Sequence, residues 1–136
     1  MKKVISEKVA LYGVLVILSL ITVFHVLILI GVIPFDIVWG GRLTSREEML
    51  RMESVSLLLN LLMLGIVARR AGWLKWGPGP RIIRILFWVM AGLFALNTLG
   101  NLASTSDLER AIFTPLTLLL VVFCWRLALP AEDTAG

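Results

Sequence analysis

Apolar residues fall along this chain in four long runs, with charged and turn-forming positions crowded between them. The first run extends from Val9 to Ile33 and is stopped by Pro34. It exceeds the roughly 7–15 apolar residues of a secretory signal, and Gly31-Val32-Ile33-Pro34 carries no small-residue cleavage pattern, so a retained helix is expected. The second run, Ser54 to Ala68, gives only about 22 Å of helix against a hydrocarbon core near 30 Å. It needs an upstream extension, and Ser45 with Glu48 supplies an S-x-x-E capping pattern there. The helix is therefore predicted over 46–70, with Arg51 and Glu53 drawn to the membrane boundary. A third helix is predicted over 82–102. A fourth is predicted over 108–129, opened by the S-x-x-E pair Ser106 and Glu109 and closed by Pro130.

These helices, at 9–33, 46–70, 82–102 and 108–129, are joined by short connections. The pattern predicts an all-α membrane fold, one domain over 1–136, built as a four-transmembrane-helix antiparallel up-down bundle. Composition agrees. The 136 residues are 59% hydrophobic with a mean hydropathy of +0.94, against about 45–50% apolar for a soluble domain. The net charge of +4 matters less than its placement. Lys2, Lys3, Lys8, Arg69, Arg70, Lys75, Arg81, Arg84 and Arg126 fall on one side, and Arg42, Arg46, Arg51 and Arg110 on the other. The positive-inside bias puts both termini in the cytoplasm. No basic stripe with exposed aromatics stands apart from the membrane-flanking loops, so a nucleic-acid partner is not expected. One cysteine, Cys124, and one histidine, His25, leave no internal disulfide, CxxC pair or bis-histidine haem site.

The candidate chemistry is polar residues inside apolar runs: His25, Glu53, Asn60, Asn97, Asn101, Thr114 and Thr117, with Ser19 and Thr22 deeper in the first helix. At about 1.5 Å per residue, His25 lies about 12 Å below the outer end of its helix, Glu53 about 6 Å and Asn60 about 16 Å. By the same rise, Asn97 lies about 8 Å down and the two threonines about 8–12 Å. All fall in the outer half. Glu53, Ser56 and Asn60 share one helical face, as do Asn97 with Asn101 and Thr114 with Thr117. Polar groups facing lipid unpaired cost several kcal/mol, so they are expected to turn inward and converge in an outward-facing polar pocket. Asn and Thr also serve as plain interhelical glue. Glu53 is either a functional group or an anchor for Arg42, Arg46 or Arg51, and His25 either a neutral core residue or its partner.

The first loop, Pro34 to Thr44, contains Gly40-Gly41. It reads as a lid in which Asp36 and Arg42 pair and Trp39 folds onto the bundle, or as an interfacial turn anchored by Trp39. Pro115 lies inside the fourth helix and is expected to kink it. Gly13 and Ala91-Gly92 permit close helix approach within one bundle, so a monomer or loose dimer is expected.

The blocks Pro34-Phe35-Asp36-Ile37-Val38-Trp39-Gly40-Gly41-Arg42, Ala95-Leu96-Asn97-Thr98-Leu99-Gly100-Asn101 and Thr114-Pro115-Leu116-Thr117 resemble those of small bacterial four-helix membrane proteins with no assigned activity. The resemblance spans most of the chain and implies a fold and a location, the bacterial inner membrane. Small multidrug exporters have a similar length and helix number, but they rely on a carboxylate inside the first helix, which this sequence lacks.

Three functions stay open. The first is a non-catalytic accessory or binding protein, with the bilayer, a membrane-protein partner, or a lipid or small apolar ligand as its partners. The second is an oligomeric transporter or channel using Glu53 and His25. The third is an enzyme on a lipid-like substrate with those two residues as acid and base. No nucleophile motif, metal set or phosphate loop supports the third, so no catalytic residue, metal site or cofactor is assigned.

Overall fold

The computed structural model describes residues 4–34, 45–104 and 106–130. Among these, all regular structure is helical: α1 Glu7–Leu29, α2 Arg46–Arg70, α3 Pro80–Leu102, and a π-helical turn Glu109–Phe113 that runs into α4 Thr114–Ala128. All four helical segments are long and apolar enough to cross a membrane.

The helix ends follow from local chemistry. Ser6 caps α1 by accepting from the Val9 N–H at 3.1 Å, with Glu7 at the positive end of the dipole. The helix closes at Leu29, four residues before the end of its apolar run. Gly31 adopts φ 85°, and the Val32 N–H turns back onto the Leu27 carbonyl at 2.9 Å. A glycine in the left-handed region ends a helix whatever its neighbours' hydropathy, which corrects the expected span 9–33. The second helix has the predicted bounds, and Ser45 accepts from the Glu48 N–H at 3.1 Å. Pro80 opens α3, two residues earlier than expected, because its fixed φ suits a first helical position. The preceding loop is held by Arg69, whose guanidinium donates to the Pro78 and Leu74 carbonyls at 3.1 and 3.2 Å.

The entry to α4 departs from the expected cap. Ser104, not Ser106, engages Glu109: its hydroxyl donates to Glu109 Oε1 at 2.7 Å and accepts from the Ser106 N–H at 3.0 Å. The ladder then widens, with the Thr114 N–H bonding the Glu109 carbonyl five residues back. Pro115 explains this. It has no N–H to give and its ring presses on the preceding turn, and the π turn immediately upstream makes room. Where a kink was expected at Pro115, the structure has a π turn immediately upstream of it.

The helices pack α1 on α2, α3 on α4 and α1 on α4, with slighter contact between α2 and α3. The main core contains Val14 and Leu18 of α1, Val67 of α2, Phe87 and Phe94 of α3, and Leu120, Cys124 and Leu127 of α4. A charged clamp closes one end. Glu7 faces Arg70 at 3.2 Å and Arg126 at 3.9 Å, and the fully buried Arg126 donates through Nε to the Ile5 carbonyl at 2.7 Å. Much apolar surface still points outward, including Val16, Leu20 and Val23 on α1, Leu58 and Leu62 on α2, and Leu96 and Leu99 on α3. So large an apolar exterior suits hydrocarbon rather than water.

Gly13 lies where α1 meets α4, and a Cβ there would collide with the Phe123 ring. Gly92 has open space around it, so the two expected close-approach sites differ. Gly13→Val is expected to destabilise the bundle by about 1–3 kcal/mol through overpacking. Gly92→Ala is expected to be neutral or slightly stabilising, since alanine favours helix. Unfolding in detergent measures both, and equal tolerance at the two positions would contradict the α1–α4 contact.

Candidate functional site

Four residues of α2 are buried: Met49, Glu53, Asn60 and Val67. Their spacing of four, seven and seven defines one stripe, and the middle two are polar. The outward faces of α2 carry Val55, Leu58, Leu59, Leu61 and Leu62, all exposed. The helix is thus apolar outside and polar at the centre of its packed face, the arrangement expected when lipid is the solvent.

The partner of this stripe is α1. His25 Nδ1 lies 2.5 Å from Glu53 Oε2. Seven residues further along α2 and seven back along α1, the Asn60 amide donates to the Leu18 carbonyl at 2.9 Å and to the Thr22 hydroxyl. The Thr22 hydroxyl in turn donates to the Leu18 carbonyl at 2.8 Å. The two helices are therefore joined by polar contacts one heptad apart.

The ionisable pair is unequal in exposure. The Glu53 side chain is 1% exposed and that of His25 is 18%. With the carboxylate ionised, the ring N–H donates to it; with the carboxyl protonated, the acid donates to the ring nitrogen. The pair can hold one proton in either form. Because Nδ1 is the nitrogen turned to Glu53, the opposite edge of the ring remains for another hydrogen-bonding group. Beside it, Phe24 packs against Phe113 with the rings tilted by 57° and 4.7 Å between centroids, joining the end of α1 to the π turn.

The α3 and α4 residues form a separate group. Thr98 donates to Thr117 at 2.9 Å, and the Asn101 amide approaches the same hydroxyl at 3.4 Å. The Thr98 hydroxyl shares its one proton between Thr117 and the Phe94 carbonyl of its own helix, at 2.8 Å from the latter, and Thr117 donates back to the Phe113 carbonyl. Thr114 bonds back to the Glu109 carbonyl. The hydrogen bonds of this group join α3 to α4, and those of His25 and Asn60 join α1 to α2, so two seams stand where one convergent cluster was expected. Asn97 is exposed and Thr98 takes the inward position, which corrects the face assigned to Asn97. Ser19 is likewise exposed. The lid residues Asp36, Trp39 and Arg42 lie outside the described residues.

Sequence reasoning missed Thr98, Ser104, Glu7 and Arg126 as interaction partners, and gave Glu109 the wrong serine. Thr98 stands at i, i+3 from Asn101, a signal that was present. Arg126 was counted only as an inner-face charge, although it directly follows an apolar run and stands before a proline-terminated end.

Two open recesses lie at the other end of the bundle, one walled by Arg69, Arg70, Arg81 and Arg84, the other by Arg81, Arg84, Ile85 and Trp88 among others. Among the described residues no three His, Cys, Asp or Glu side chains are grouped to hold a metal ion. Compared with protein families, with curated proteins and with solved structures, the chain matches none.

A double-mutant cycle tests the His25–Glu53 contact. His25→Ala and Glu53→Gln are expected to couple by about 0.5–3 kcal/mol in thermal or denaturant unfolding, as residues in one hydrogen-bonded contact do. Asn60→Ala is expected to cost about 0.6 kcal/mol, the usual worth of an interhelical polar contact. Strict additivity of the His25 and Glu53 changes would break the proposed pairing.

Proposed function

We propose that the chain is a multi-pass protein of a cell membrane, an antiparallel up-down bundle with both termini in the cytoplasm. In this reading it is a non-catalytic binding or accessory protein. It receives the polar part of a lipid-like or small ligand at the outer end of the α1–α2 seam. A bacterial inner membrane is its proposed location.

The observation that carries this reading is the buried Glu53 set against a partly exposed His25. Interhelical adhesion needs no ionisable group, since the Asn60 and Thr98–Thr117 contacts supply it with neutral ones. A carboxylate in a span is expensive unless paired, and its retention points to use. The outward edge of the His25 ring offers a ligand one donor or acceptor, while Glu53 fixes the ring. The orientation rests on charge. Lys8, Arg69, Arg70, Lys75, Arg81, Arg84 and Arg126 belong to one end and Arg46, Arg51 and Arg110 to the other.

A second reading is favoured by the same pair's capacity to hold a proton. An oligomer could pass protons or ions through His25 and Glu53 as a transporter does. Reconstitution in liposomes distinguishes the two. The binding reading expects no ion flux above empty liposomes, and lipid or small molecule that co-purifies with the parent protein and is lost from His25→Ala. Proton flux abolished by Glu53→Gln would replace it with the transport reading.

The orientation has its own test. A reporter fused after Gly136 is expected to be active only where it functions in the cytoplasm. Activity of a periplasm-dependent reporter at that position would invert the bundle.

A further inference from the structure

The two recesses at the terminus-bearing end share a wall. The larger, of about 730 Å³, lies between the end of α2, the loop after it and the start of α3, with Arg69, Arg70, Arg81 and Arg84 around it. The smaller, of about 390 Å³, has Arg81 and Arg84 on one side and Ile85, Trp88 and Leu129 on the other.

Two of the four arginines are already engaged. Arg69 holds the loop carbonyls of Pro78 and Leu74, and Arg70 faces Glu7. Arg81 and Arg84 make no ion pair among the described residues. Glu7, the described acid at this end, faces Arg70 and Arg126 instead. Along α3 the order is informative. Arg81, Arg84, Ile85 and Trp88 follow at i, i+3, i+4 and i+7, one helical face that is basic in its first turn and apolar in the next. Ile85 and Trp88 are both exposed on that face.

We propose that Arg81 and Arg84 form a binding site for the phosphodiester headgroup of an anionic phospholipid, with an acyl chain lying along Ile85, Trp88 and Leu129. The site rests on the reading that the helices span a membrane, and it does not depend on which way up they do so. The guanidinium fork matches phosphate oxygens in two-point contact. The α3 start lies at the end of a span, where headgroups are found, and its dipole adds positive potential. Charge followed by an apolar wall in the inward direction is the order of a lipid's own parts. A free phosphate would use the arginines and leave the apolar wall without a role. Basic pockets between helices at a membrane surface are suited to such headgroups.

The test uses the full chain in phosphatidylcholine nanodiscs, titrated with phosphatidylglycerol, with bound lipid counted by native mass spectrometry. Each arginine near the surface contributes about five-fold in affinity. Arg81→Gln with Arg84→Gln is therefore expected to weaken phosphatidylglycerol binding by roughly 30-fold. Arg46→Gln with Arg110→Gln, which removes the same charge at the other end, is expected to leave it unchanged. Trp88→Ala is expected to weaken binding of the lipid without creating a preference for phosphatidylcholine. Circular dichroism checks that each variant keeps its helicity, and Arg84→Lys, which keeps the charge but not the fork, is expected to fall between parent and double variant. Parent-like binding by the double variant overturns the site, and so does an equal loss in the Arg46 and Arg110 control. Full competition by soluble glycerol phosphate would reassign the site to a free anion. Failure of the parent chain to enter the nanodisc would instead remove the membrane reading beneath it.

Discussion

The structure depends on one constraint: a polar group inside a membrane span must find its partner on a neighbouring helix. Hydrocarbon offers no hydrogen bond, so an unpaired donor or acceptor there costs several kcal/mol. In α2 this constraint sets the helix's rotation. Turning its apolar residues inward would have made a greasy core and left Glu53 and Asn60 in lipid. Turning the polar stripe inward instead places Glu53 on His25 and Asn60 on Thr22 and Leu18, and gives Leu58 and Leu62 to the exterior. The seven-residue repeat of polar contacts also fixes how far α2 can slide along α1. A slip of one turn breaks both contacts at once, whereas a purely apolar seam would tolerate it.

The two charged ends of the bundle solve different problems. Glu7, Arg70 and Arg126 tie the beginning of α1 to the ends of α2 and α4, and the Arg126 side chain is fully buried with its Nε on the Ile5 carbonyl. Every member of that clamp faces another part of the chain. At the far end, Glu53 is sealed but His25 is not. Neutral groups or well-packed apolar ones hold helices together about as well as a buried ion pair does. Exposure alone does not separate the two ends, since Glu7 and Arg70 are 27% and 21% exposed beside the fully buried Arg126; what differs is that the His25 ring keeps an edge turned away from its partner.

Much of this was legible in the sequence, in proportion to how strictly each feature obeys a local rule. The bounds of α2 followed from Ser45 and Glu48, because a side-chain cap acts within one turn. The facing of Glu53 and Asn60 followed from their spacing of seven, which two buried polar groups on one helix must respect. Asn97 was misplaced because its i, i+4 spacing with Asn101 suggested a shared inward face, whereas the adjacent Thr98, at i, i+3 from Asn101, takes that face. Packing against Thr117, a residue on another helix, decides between them. The division into two polar seams was hidden for the same reason: depth along a helix can be counted from sequence, but the direction across a bundle cannot. The early end of α1 was signalled by Gly31 and outweighed in the reading by apolar residues on both sides of it.

Pro115 shows how the two seams are kept mechanically distinct. A proline inside a span normally leaves a carbonyl without its donor, and here the ladder resets through a π turn upstream, with Thr114 bonding the Glu109 carbonyl through both its N–H and its hydroxyl. The reset preserves the hydrogen bonds but changes the angular position of everything before it. Residues after Pro115, including Thr117, keep a regular α-helical register against α3. Phe113, before it, is swung onto Phe24, the neighbour of His25. One break in periodicity thus lets α4 pack against both α3 and α1, while the π turn above it stays on α3 and turns Phe113 to Phe24. Without the π turn, Phe113 would stand at a different angle about the helix axis relative to Thr117, whose bond with Thr98 sets the register against α3.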